Sequence, residues 1–407
     1  MEIKSVKNIN RKLSWNSTSM YCFIIYTFYC LTSLFRGLSA VGIQMPIVLF
    51  CFLLLLNSKR ILRSNYLRLP SLAFIFLIFN YVFIFEQGGI GVEGDVIKNI
   101  GANFTLFVVI FPILMVASGC FTNIDKSKLY RIVLLITLAT CITTIMGTFM
   151  YEFPCRELAT PNNPELDNLY KAHNIGGYGF IYYLLLLNPI LIGKIRNNYS
   201  LLDLLVLVSS VVCIIRSEYT TALLIMFVTF CGVLFIITKN KLVKIGAIAV
   251  CVCVVVFIES ILVWASSYFG SSSFFIEQRL NMLLDYSSTG LADGDMAARQ
   301  ELYMLSISSF LSNPLFGGMF SSKEHVGGHS EILDYIGHSG LIGLFCLRLM
   351  YRTLKYRTPI GEINYRSPFT KLTCFVALFI ALSNTFLSPE LTFGVVVLPL
   401  LADGEDI

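Results

Sequence analysis

Charge is scarce in this chain. Of its 407 residues only 14% are Asp, Glu, Lys or Arg, against 56% that are hydrophobic, and the mean hydropathy of +0.74 lies outside the range of soluble domains. The shortage excludes a soluble domain and leaves an integral membrane protein. Regular apolar-polar alternation is also missing, which excludes a β-barrel. Histidines number four and are scattered; with no His-Glu-x-x-His pattern and no aspartate cluster, no metal site is expected. The net charge of +5 does not imply a nucleic-acid partner, because the lysines and arginines lie in short clusters between apolar blocks, where they orient membrane spans. Nearly all of the twelve cysteines, among them Cys22, Cys30, Cys141, Cys213 and Cys374, fall inside apolar blocks and read as small hydrophobes. Cys155 alone sits in a sizeable loop.

What is present is a series of apolar blocks of roughly 16 to 21 residues, the length an α-helix needs to cross a hydrocarbon layer of about 30 Å. The expected fold is an all-α integral membrane protein with about twelve transmembrane helices, both termini cytoplasmic and one large outer loop. Residues 1–264 carry the first nine spans with short loops, 265–335 form the large loop with two amphipathic helices at 274–284 and 296–311, and 336–407 carry the last three spans and a cytoplasmic tail. The spans are placed at 20–35, 39–56, 71–85, 100–117, 132–151, 178–192, 201–215, 220–237, 245–264, 336–349, 369–386 and 391–401. The basic leader with Lys4, Lys7, Arg11 and Lys12 lacks a small-residue cleavage site and is read as entering the first span. Basic clusters such as Lys59 and Arg60, Lys126 and Arg131, and Lys239 and Lys241 fall on alternate loops, which the positive-inside rule puts in the cytoplasm.

The remaining polar chemistry gathers on the outer loops and the adjoining span ends. The stretch 313–344, NPLFGGMFSSKEHVGGHSEILDYIGHSGLIGL, crowds glycines, histidines and carboxylates onto the entrance of an apolar helix. Ser330 suits a helix N-cap, so the first backbone N–H groups there favour an anion. His329 beside it suits a general base or a phosphate ligand; taken alone, such a residue is more often an interface histidine with a satisfied hydrogen bond. His338 reads as a packing contact, and Gly337, Gly340 and Gly343 as a small-residue stripe that lets another helix approach. Arg299, near the start of an amphipathic helix, offers the planar fork that suits a pyrophosphate, with a helix-face salt bridge to Asp295 as the alternative. Arg279 is a weaker candidate of the same kind. Arg216, in the short turn Arg216-Ser217-Glu218-Tyr219, is either a ligand group or a snorkelling side chain paired with Glu218. His173, in His173-Asn174-Ile175-Gly176-Gly177-Tyr178, is a second glycine-lined histidine, and spacing leaves open whether it joins the site.

Assembled, these features resemble the bacterial polysaccharide polymerases of the Wzy type, within the O-antigen polymerase and ligase superfamily. The likeness is carried by the span count, by the large outer loop before the tenth span, and by NPLFGG followed by GGHSEILDYIGHSGLIGL. A second local likeness is RELATPNN through HNIGGYGFIYYLLLL, residues 156–187. The resemblance implies a membrane-embedded glycosyltransferase of the GT-C type in the bacterial inner membrane, using no metal and no cofactor. Its reaction would transfer a growing O-antigen or capsule glycan from undecaprenyl pyrophosphate to a lipid-linked repeat unit at the periplasmic face. By that resemblance His329 and Arg299 are catalytic, Arg216 and Arg299 hold the pyrophosphate, and Ser330, Arg156 and His173 bind substrate. The implied partners are the undecaprenyl-pyrophosphate-linked oligosaccharide, the lipid bilayer, a chain-length regulator and a flippase. Two other functions stay open: a ligase passing glycan to lipid A-core, and a lipid-linked-oligosaccharide transporter. Polar residues gathered at the outer face and two unlike halves argue against transport.

Overall fold

The computed structural model of the chain describes residues 20–34, 49, 126–159, 163–242, 244–246, 249, 294–320, 326–356, 367–384 and 388–402. The expected second, third, fourth and ninth spans, Arg279 and the helix at 274–284 fall wholly or largely outside the described residues. Every regular element among the described residues is helical. In chain order the α-helices are α1 (Met20–Leu31), α2 (Lys126–Met150), α3 (Pro154–Glu157), α4 (Pro164–Ala172), α5 (Tyr178–Asn197), α6 (Leu201–Arg216), α7 (Thr220–Ile237), α8 (Gly294–Ser312), α9 (Glu331–Tyr356), α10 (Pro368–Ser383) and α11 (Pro389–Ala402), with a 3-10 turn at Gly317–Phe320 between α8 and α9. By length and composition α2, α5 and α7 can cross a membrane, and α1, α10 and α11 are shorter apolar helices.

α5 is the centre of the bundle, packed against α6, α7, α10 and α11. Its Leu184, Leu185, Leu186 and Leu187 are all fully buried, so it is apolar on every side, as a helix surrounded by others must be. Two glycines let neighbours close in. A Cβ on Gly394 of α11 would lie 2.9 Å from Leu186, and one on Gly193 of α5 would lie 2.9 Å from Phe369 at the start of α10. The outer helices show the opposite pattern. On α6 the residues Leu201, Leu205, Val208, Val212 and Ile215 are exposed at helical spacing, and Leu135, Ile142, Met146 and Phe149 do the same on α2. Continuous exposed apolar stripes of this kind suit hydrocarbon, not water.

α2, α5, α6 and α7 run alternately up and down, as do α9, α10 and α11, whereas α8 lies parallel to α9, with Ser306 meeting Asp334 and Leu315 meeting Ile342. One end of the bundle collects the end of α1 and the starts of α5, α7 and α11, with the turns that follow α6 and α10. The other collects the start of α2, the end of α5, the start of α6 and the last turn of α11 around a cavity of about 490 Å³, where Tyr130 donates to Asp203 Oδ1 at 3.0 Å. Lys126, Lys128, Arg131, Lys194 and Arg196 lie on helix turns at this second end.

Three expectations change in detail. α2 begins at Lys126, so Lys126, Lys128 and Arg131 stand on its first turns and not in a loop. The segment after it is no simple loop, since it folds into α3 and α4. α9 begins at Glu331 and is broken at Gly340, whose φ of 59° and ψ of −154° are not helical. The amides freed by the break find partners, because Leu341 N–H donates to Pro314 O at 2.9 Å and Ile342 N–H to Leu315 O at 3.2 Å. The Asn313-Pro314-Leu315 turn thus ends α8 and caps the second half of α9.

That joint also narrows the glycine stripe. A Cβ on Gly337 would lie 2.5 Å from Ser306 O of α8, and one on Gly340 would lie 2.5 Å from Leu315 O, so both positions admit foreign backbone. Gly343 does not, for its nearest atoms belong to Ser339 and Tyr335 of α9 itself.

Candidate functional site

At the first end of the bundle lies a cavity of about 620 Å³. Among the described residues, its cations are Arg156, Lys171 and Arg299, with His329 among them, and its carboxylates are Glu218 and Glu390. Tyr178, Tyr182 and Tyr219 supply an aromatic wall, with Tyr178 and Tyr182 at a ring separation of 4.4 Å and Tyr219 6.0 Å from each.

Each cation has its own support. Arg156 sits on the single turn α3, which starts at Pro154 after Phe153 in a left-handed conformation. Tyr219 OH donates to Cys155 O at 2.7 Å, tying that turn to the start of α7. Burial pushes the Cys155 thiol well above its usual range, so it stays protonated and serves packing, not nucleophilic chemistry. Lys171, in the last turn of α4, pairs with Asp167 Oδ2 at 2.6 Å.

Arg299 stands on α8 one turn before Tyr303, on the same face. Tyr303 OH donates to Ser383 O at 3.0 Å, fixing that face against the end of α10. The Asp295 alternative for Arg299 falls on a side chain outside those described.

The run Gly327-Gly328-His329-Ser330 is explained letter by letter. A Cβ on Gly327 would fall 2.1 Å from Leu302 O, so the loop lies directly on α8. Gly328 has φ 76°, a left-handed conformation that glycine adopts without steric cost. Ser330 is the N-cap, its Oγ accepting from Leu333 N–H at 3.3 Å. Behind the cap, Ser306 Oγ donates to Asp334 Oδ1 and accepts from Gly327 N–H at 2.9 Å, while Ser330 N–H donates to Asp334 Oδ2 at 3.1 Å. His329 is left exposed at the cavity.

The structure therefore brings Arg156, Arg299 and His329 to one cavity. Three other expected residues are placed elsewhere. Arg216 turns to α2, where Nη2 donates to Thr148 O at 2.9 Å and the guanidinium lies 4.6 Å from the Phe149 ring. The chain reverses at Glu218 with φ 60°, and Glu218, not Arg216, lines the cavity. Ser330 is fully buried behind His329, its hydroxyl also within 3.4 Å of Ala381 O. His173 is exposed, with Nδ1 2.9 Å from Leu169 O.

No protein-family model and no curated protein matches the chain. The chemistry of the cavity is therefore argued from its own residues. Cations that outnumber carboxylates in a partly enclosed space suit a multiply charged anion, and the carboxylates and tyrosines beside them suit a hydroxyl-rich group.

Sequence reasoning missed three residues. Lys171 and Glu390 line the cavity. The third is Asn174, the neighbour of His173. Its Oδ1 accepts from Ser33 N–H at 3.0 Å, and its Nδ2 donates to Thr140 and Thr143 hydroxyls at 3.2 Å each. It holds the approach to α5 against α1 and α2 from a left-handed φ of 55°. Alanine there should lower stability by about 2 to 3 kcal/mol, combining lost buried hydrogen bonds with left-handed strain. Thermal unfolding in detergent checks this, and Asn174→Gly, which relieves the strain alone, should unfold at a temperature between the two. The signal in the sequence was present, since asparagine is favoured over most residues at left-handed positions.

Proposed function

We propose that the chain is a glycosyltransferase of the membrane that extends a polysaccharide, taking the growing glycan from a polyprenyl pyrophosphate and passing it to a lipid-linked repeat unit. The observation that carries this reading is the meeting of Arg156, Arg299 and His329, from three distant stretches of sequence, in one cavity at a single end of the bundle. Basic residues crowd the opposite end, and the positive-inside rule makes that end cytoplasmic and the cavity end periplasmic. There the glycosidic oxygen of the leaving pyrophosphate gains negative charge as its bond to the anomeric carbon breaks. Arg299 and Arg156, with Lys171, stabilise that charge where water is scarce. His329, at the entrance of α9, contacts the phosphates or the incoming hydroxyl.

The break in α9 favours a second reading, since transporters use discontinuous helices to bind cargo. Here the freed amides of Leu341 and Ile342 are taken by Pro314 and Leu315 and are not presented to the cavity, which weakens that reading.

Deleting the gene in its host and displaying the surface glycan on a gel tests the proposal. A polymerase predicts loss of long chains with a single repeat unit still attached. Complete loss of attached glycan would instead indicate a ligase or a transporter.

A further inference from the structure

The proposed transfer needs a proton acceptor for the attacking hydroxyl, and among the described residues three groups on the cavity wall can take a proton: His329, Glu218 and Glu390. His329 is exposed, and Glu218 sits half-buried on a turn. Glu390 differs from both. It is 3% exposed, on the first turn of α11, and is the only ionisable residue of that helix. Ser388, which also lines the cavity, caps the turn by accepting from Leu391 N–H at 3.3 Å.

The carboxylate is pressed against α5 at Gly179, where a Cβ would lie 2.5 Å from Oε2 and 2.9 Å from Oε1. A glycine in the first turn of α5 makes the room that this carboxylate occupies. Burying a charge in an apolar bundle is costly, and a base gains most from being held in one place beside the group it deprotonates.

We infer that Glu390 is the base of the transfer, an inference that rests on the polymerase reading. The acceptor hydroxyl oxygen bonds to the donor's anomeric carbon, and its proton passes to a Glu390 carboxylate oxygen. The anomeric carbon–oxygen bond to the pyrophosphate breaks, with its electron pair staying on the pyrophosphate beside Arg299.

The test is chain extension by the purified full-length protein in liposomes, with lipid-linked repeat units as substrate. Glu390→Gln keeps the shape and cannot take the proton, so kcat should fall by about 100-fold or more with donor KM within about threefold of wild type. Glu390→Asp should recover at least about a tenth of the rate. Gly179→Ala, which displaces the carboxylate without removing it, should lower kcat by about tenfold. All three variants should elute as monodisperse protein in detergent.

A Glu390→Gln protein that extends chains within about threefold of wild type overturns the assignment. So does a parallel loss in kcat and donor affinity with no recovery in Glu390→Asp, the behaviour of a structural ion-pair partner. A wild-type protein that extends no lipid-linked substrate removes the polymerase reading itself, and this inference with it.

Discussion

Arg299→Ala is expected to lower chain extension by about 10³-fold while the protein stays at wild-type level in the membrane, as read by glycan ladders alongside an immunoblot. The magnitude follows from where the charge develops. A guanidinium held at a partly desolvated leaving group acts mainly in the transition state, and losing one such group costs more than losing a neutral donor. Arg299 is half-buried at the cavity wall on a helix fixed by Tyr303 and Ser306, so its guanidinium is held in place. Arg299→Lys keeps the charge and loses the planar fork, and should retain only a small part of the rate. Arg216→Ala supplies the contrast. Its guanidinium is spent on Thr148 and Phe149 of α2, so chain length should change by no more than about twofold, the behaviour of a surface contact. Wild-type chain lengths in Arg299→Ala would remove that residue from the site. A collapse of extension in Arg216→Ala at normal protein level would instead put Arg216 back into it.

The sequence was most informative where a helix ends against polar groups. The stretch expected at 220–237 is the helix Thr220–Ile237, and that expected at 201–215 is the helix Leu201–Arg216. Ser200 caps the latter and Ser217 follows it, so a change in hydropathy and a change in backbone fall at the same residue. α2 starts six residues before the expected span at 132–151, because its first turns carry Lys126, Lys128 and Arg131, which have a loop's composition and a helix's geometry.

The site was legible in part for a similar reason. Arg156, Arg299 and His329 are polar residues flanked by motif-like context. Glu390 stands just after Pro389 at the entrance of an apolar helix, where a single charge reads as the boundary of a span. That it is buried, and that Gly179 makes room for it, depends on two helices meeting from opposite parts of the chain. Periodicity along one helix carries no trace of that. The same limit separated His173 from Asn174: both are polar, and which of the two turns inward is decided by Thr140 and Thr143 on α2.

Gly337→Leu should unfold the joint that places Arg299 beside His329, lowering stability by about 3 kcal/mol or more and abolishing chain extension. The obstacle is backbone, because even the first added carbon would meet Ser306 O at 2.5 Å, and a main-chain carbonyl cannot swing away as a side chain can. α8 must then lift from α9. That movement breaks the bond from Ser309 Oγ to Gly337 O, 2.8 Å long, and separates Ser306 from Asp334, which ties the loop carrying His329 to α8. Gly343→Ala is the contrast within the same helix. Its new carbon meets Ser339 Cβ at 2.6 Å and Tyr335 Cε1 at 3.0 Å, both on α9 itself, so the adjustment stays within α9, leaves α8 seated, and should cost less stability than Gly337→Leu while chain extension persists. Thermal unfolding in detergent and chain extension in liposomes read both variants. If Gly337→Leu keeps its unfolding temperature and its activity, α8 slides freely on α9, and the position of Arg299 must be set by Tyr303 and the end of α10 alone.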